Sequence, residues 1–114
     1  MEQRTLGQGG LTVSALGYGC MGLTSAYGDA LPDAEAITLI RAAHELGVTH
    51  VDTAEAYGPF ANEIVVGKAL APIRDKVTIA TKFGFDIDLE TGARTGGTNS
   101  RPEQPRANTM PAPN

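Results

Sequence analysis

Apolar positions recur along this chain with two different periods, and the switches between them mark the elements. Ala36, Leu39, Ile40, Ala43 and Leu46 fall at three- and four-residue spacing, forming one stripe of an α-helix. Asp33 precedes the stripe as an N-cap, Glu35 places negative charge at the positive end of the helix dipole, and Gly47 supplies the stop. The β-branched run at 48–52 then predicts a strand. Asn62 is placed to cap a second helix reaching about residue 70, Pro72 ends it, and residues 77–82 predict a third strand. Upstream, residues 4–6 and 11–13 flank Gly7-Gln8-Gly9-Gly10 and predict a hairpin. A short strand at 15–19 follows, then a loop over 20–32 that carries Gly22, Gly28 and Pro32.

Strand–helix–strand–helix–strand with short connections implies a parallel sheet with right-handed crossovers. The pattern fits the opening of a doubly wound sheet and of a (β/α)₈ barrel equally well. Period-two alternation puts Val48, His50 and Asp52 on one face of their strand and Thr49 and Val51 on the other. In the third strand, Thr78, Ala80 and Lys82 oppose Val77, Ile79 and Thr81. The faces with Val51 and Ile79 suit covering helices. Asp52 and Lys82 stand at the carboxyl ends of their strands, where parallel α/β folds place their chemistry.

Composition divides the chain near residue 86. Residues 1–85 alternate periodic segments with turns. Residues 86–114 hold Ile87, Leu89, Met110 and a few alanines among seven glycines and prolines, too little apolar surface to offset ordering, so that tail is expected to be disordered. The 114 residues fall short of the roughly 250 of a closed (β/α)₈ barrel. A net charge of −4 with scattered Lys and Arg gives no footprint for nucleic acid or an anionic membrane. The single cysteine, Cys20, excludes an internal disulfide. With no long apolar run and no basic-then-apolar leader, a cytoplasmic location is expected.

Asp52, Tyr57 and Lys82 are the residues with chemical promise. A tyrosine hydroxyl titrates near pH 10 in isolation, and an adjacent lysine ammonium favours the phenolate. An aspartate keeps that lysine charged and oriented, so the three together suit protonation of a carbonyl oxygen as hydride reaches the carbon. An ion pair at a sheet edge with Tyr57 packed in a loop explains the same residues without chemistry. Gly17-Tyr18-Gly19-Cys20-Met21-Gly22 has the form of a dinucleotide-binding glycine motif, but no helix opens from it and the next one starts near Asp33. His44 lies off the helical stripe, His50 is expected to pack inside a barrel, and no spacing suggests a metal site.

The run Gly47-Val48-Thr49-His50-Val51-Asp52-Thr53-Ala54-Glu55-Ala56-Tyr57-Gly58, with Asn62-Glu63 and Gly67-Lys68-Ala69-Leu70, resembles the signature of the aldo-keto reductases. Arg4-Thr5-Leu6-Gly7, Leu16-Gly17-Tyr18-Gly19-Cys20-Met21-Gly22 and Thr81-Lys82-Phe83-Gly84 resemble further family segments, so the likeness covers about residues 4–103. The resemblance implies the first three strands and two helices of a (β/α)₈ barrel preceded by a hairpin. It also implies NADPH as cofactor and an aldehyde or ketone as substrate. Tyr57 would be the proton donor, Lys82 its activator and Asp52 the support of Lys82. Gly19, Cys20, Met21 and Asp52 would face the nicotinamide, Cys20 as a pocket-lining residue. The family's catalytic histidine on the next strand has no counterpart, since no histidine follows His50. After Glu103 the sequence departs from the family as a frame shift or premature end would make it. The alternative is therefore an inactive or partner-dependent remnant, or a small cofactor-binding module, with self-association through exposed sheet edges.

Overall fold

The computed structural model describes residues 1–24, 29–88 and 90–104. An antiparallel hairpin opens it, with β1 (Gln3–Thr5) against β2 (Thr12–Ser14) and Arg4 opposite Val13. Next come β3 (Tyr18–Gly19), α1 (Asp33–Glu45), β4 (His50–Asp52), α2 (Ala61–Leu70) and β5 (Thr78–Ala80). The three later strands form one parallel sheet in the order β3-β4-β5, which aligns Gly19, Asp52 and Ala80 in one row.

The strands are shorter than the sequence pattern predicts. At the amino end of β4, Thr49 N–H donates to Ser14 Oγ while Ser14 N–H donates to Thr49 Oγ1, each at 2.9 Å. Hydroxyls thus take the place of ladder bonds there, and regular pairing starts only at His50. Ser14 Oγ also donates to Leu16 O, which bends residues 15 and 16 out of the predicted strand.

Both predicted helix caps shift. Pro32, with φ −54° and ψ 143°, is the N-cap of α1, and its carbonyl accepts the first turn's N–H groups from Glu35 and Ala36. Asp33 is instead the first helical residue, 3.9 Å from Lys68 of α2. Phe60, left-handed at φ 63°, precedes α2, and Asn62 lies inside the helix with its side chain buried. Short-range cap patterns cannot distinguish a polar side chain that serves its own helix end from one drawn inward by tertiary partners.

Cys20, Leu23, Ala36, Ile40, Val51, Val65, Val66, Ala69, Leu70 and Val77 form the buried cluster, so both helices cover the face of the sheet that carries Val51. Arg41 of α1 joins the helices by donating from Nε to Ala69 O at 3.0 Å, an orphan carbonyl at the end of α2. His50 and Asp52 stand half-buried on the opposite face, and the place a Gly17 Cβ would take lies 3.4 Å from His50 Nδ1. The glycine motif at 17–22 leads only into one 3₁₀ turn (Met21–Leu23).

The expectation of disorder beyond residue 86 needs correction. β6 (Phe85–Ile87) and β7 (Arg94–Thr98) form an antiparallel hairpin, and Ile87 is buried. Turn chemistry does what apolar content does not: Asp88 Oδ1 accepts from the N–H groups of Glu90 and Thr91, and Asp88 O from Gly92. The part of the predicted tail at 105–114 lies outside the described residues. Among the described residues no helix is long and apolar enough to cross a membrane.

Candidate active site

The sheet register brings the polar residues together. Asp52 ends β4 opposite Ala80, and Lys82 follows two residues later on the same side. Lys82 Nζ donates to Asp52 Oδ2 at 2.6 Å, Thr53 O at 2.9 Å and Tyr57 Oη at 3.3 Å. An ammonium has three donors, and all three are used. Burial pulls the Lys82 pKa down, but hydrogen bonds to Asp52 and then Tyr57, with the attraction of their charges, raise it above the ordinary 10.5. Lys82 is a cation throughout the neutral range. Its ammonium also lies 5.1 Å from the centre of the Tyr57 ring.

The Tyr57 loop is held tightly. Tyr57 N–H donates to Ala54 O, Asn62 N–H to Tyr57 O and Phe60 N–H to Glu55 O. Gly58 has φ 103°, and a Cβ there would stand 2.9 Å from Ala61 Cβ, so only glycine lets the chain turn from Tyr57 into α2. Arg94 of β7 reaches across to Ala56 O at 3.1 Å while its guanidinium covers the Phe85 ring at 4.9 Å. The site itself is open: the side chains of Lys82 and Asp52 are 52% and 41% exposed.

The residues expected beside a cofactor divide. Gly19 shares the row of Asp52, and an added Cβ would meet nothing within 4 Å, so free space adjoins Asp52 on that face. Met21 is half-buried in the 3₁₀ turn. Cys20 corrects the sequence-based expectation of a pocket-lining side chain: it is fully buried in the core cluster, its thiol 3.9 Å from Tyr18 O. Burial first, then the charge of Asp52, pushes the thiol pKa up to about 12.

A thiol held protonated by the fold gives a signed pH effect. The unfolded chain releases this proton first, so the stabilising contribution is complete below the ordinary 9.0 and is lost as pH rises towards about 12. Urea midpoints are expected to fall across that interval and to fall less steeply in Cys20→Ala. Iodoacetamide at pH 8 is expected to label Cys20 only as fast as the chain opens. Labelling at the rate of a free thiol would contradict this burial.

Sequence reading missed three contributors. Asn62 and Thr53 are buried polar residues whose hydrogen bond to each other spans nine positions, and Arg94 acts from the segment expected to be disordered. Asn62-Glu63 stood in the quoted signature, but nothing in their spacing shows what they bond. Among the described residues, no group of three His, Cys, Asp or Glu side chains is placed to hold a metal ion.

A family model described as aldo/keto reductase family matches residues 15–108. A protein of Glycine max named "Probable aldo-keto reductase 1" is 54% identical over 81 residues, covering 70% of this chain and 23% of that protein. Among solved structures, the holo form of an aldo-keto reductase from Bacillus halodurans superposes with a TM-score of 0.71 at 35% identity, covering 82% of this chain and 30% of that one. An aldo-keto reductase from Klebsiella pneumoniae in complex with NADPH gives a TM-score of 0.54 at 32% identity, covering 71% and 28%. The chain thus spans less than a third of the length of each of these relatives. With the family model matching most of its length, the chain belongs to the aldo/keto reductase family.

Proposed function

We propose that Asp52, Tyr57 and Lys82 are the proton-delivering residues of an NADPH-dependent reductase of aldehydes or ketones, carried on the first three strands of a (β/α)₈ barrel. The observation that carries this reading is the Lys82 ammonium, shared among Asp52, Thr53 O and Tyr57 Oη at the carboxyl end of the sheet. NADPH, when bound, supplies the hydride to the carbonyl carbon. Tyr57 Oη gives its proton to the carbonyl oxygen, and the Lys82 hydrogen bond stabilises the charge left on the phenolic oxygen. Asp52 offsets the cost of holding Lys82 charged. Gly19 and Asp52, with Met21, would face the nicotinamide, and the side-chain position at Gly19 is open; the buried Cys20 side chain takes no part.

A second reading, that these residues alone do not turn over, is supported by the exposure of Lys82 and Asp52. Charges arranged for catalysis act strongly only where water is excluded. The test is aldehyde-dependent loss of NADPH absorbance. It is measured on the chain and on a chimera in which the matching 81 residues replace those of the Glycine max protein. Turnover is expected in the chimera and not in the chain alone, and Tyr57→Phe is expected to remove it. A chimera that turns over equally well with phenylalanine would overturn the assignment.

A further inference from the structure

Asn62 is the most enclosed polar side chain among the described residues, 1% exposed. Its Oδ1 accepts from Thr53 Oγ1, and its Nδ2 donates to Cys20 O at 2.7 Å and to Thr24 Oγ1 at 2.8 Å. Its backbone N–H donates to Tyr57 O at 3.1 Å. One residue in the first turn of α2 therefore meets the exit of β3, the exit of β4 and the tyrosine loop. Burying an amide is unfavourable unless its bonds are made, a requirement that an apolar side chain of that size would not have. Thr53 is the neighbour that matters chemically, because its carbonyl is one of the three acceptors of Lys82.

We infer that Asn62 is a positioning residue: by holding the Thr53 side chain it fixes the carbonyl of Thr53, and so the direction of the Lys82 ammonium towards Tyr57. Its importance for turnover rests on the reductase reading; the geometric claim does not. Thr53 N–H already donates to Ala80 O at 2.8 Å, a single anchor about which residue 53 is free to tilt. The Asn62 bond to Thr53 Oγ1 is a second anchor on the same residue, and it sets the Cα from which the carbonyl projects. The same amide ties Cys20, which stands between Gly19 and Met21, and Thr24, whose N–H donates to Met21 O, so both halves of the proposed site are keyed to one side chain.

The experiment reads the Lys82 ammonium directly in the purified 114-residue chain. Exchange of its Nζ protons with water is followed by ¹⁵N-resolved NMR at pH 6, with exposed Lys76 as the internal standard and circular dichroism reporting the fold. A fixed, triply bonded ammonium exchanges slowly in the wild type. Slow exchange is expected to be lost in Asn62→Leu and Thr53→Val, and kept in Thr53→Ser, which restores the hydroxyl. Thr24→Val, which removes a bond on the far side of the same amide, is expected to keep it as well. If Asn62→Leu does not fold, the two Thr53 variants decide. Unchanged exchange in folded Thr53→Val overturns the inference, and so does equal loss in Thr53→Val and Thr24→Val, which marks a general loosening. Failure of the reductase reading appears elsewhere, as chimera turnover indifferent to Tyr57→Phe.

Discussion

Tyr57→Phe is expected to lower carbonyl reduction in the chimera about 100- to 10,000-fold, the range for losing a positioned general acid. That corresponds to roughly 3–5 kcal/mol of transition-state stabilisation at 1.36 kcal/mol per tenfold. The substitution removes one oxygen and keeps the ring. Lys82 retains Asp52 Oδ2 and Thr53 O, so the loop and sheet have no reason to move. The loss should therefore appear in kcat at saturating aldehyde, with the thermal melt unchanged. Lys82→Met should act in the same direction for a different reason. It leaves the Asp52 carboxylate near Tyr57 without its cation, which opposes negative charge on the phenolic oxygen. A Tyr57→Phe rate within twofold of wild type would remove the tyrosine from the mechanism.

The second large effect concerns the fold. Leu70 is fully buried at the end of α2, in the cluster with Ile40, Val66 and Val77. Leu70→Ala is expected to cost about 2–5 kcal/mol, the lost transfer energy plus the cavity. Whole domains are stable by only about 5–15 kcal/mol, and small ones bury proportionally less surface. The variant should unfold at much lower urea, with loss of cooperativity by circular dichroism. Leu46→Ala is the control: at 79% exposed it should change stability by less than about 0.5 kcal/mol. Equal effects at the two positions would mean that the buried cluster does not hold the chain together.

Elements with a strong period were legible. The stripe from Ala36 to Leu46 gave α1, and the β-branched run before Asp52 gave β4 with Val51 facing the helices. Strand period placed Asp52 and Lys82 at the carboxyl ends of their strands; that the two strands are neighbours is seen only in the sheet order. What escaped were features built from polar bonds across long separations. The exchange between Ser14 and Thr49 shortened strands that local pattern extended. Asn62 has the composition of a cap and the partners of a core residue. β6 and β7 hold together through Asp88 and a glycine turn, which a count of apolar residues does not register. The resemblance alone placed Cys20 at the pocket; its side chain is buried in the core cluster, and a two-residue strand gives too little alternation to show that from sequence.

Arg94 adds a consequence of another kind. One guanidinium divides itself between the carbonyl preceding Tyr57 and the ring of Phe85, so the β6–β7 hairpin has leverage on the tyrosine through a backbone contact. A descendant of this sequence could shift the Tyr57 loop by changing the length or tilt of that hairpin. Asp52, Tyr57 and Lys82 would stay untouched, and divergence in reactivity would be written where composition looks least constrained.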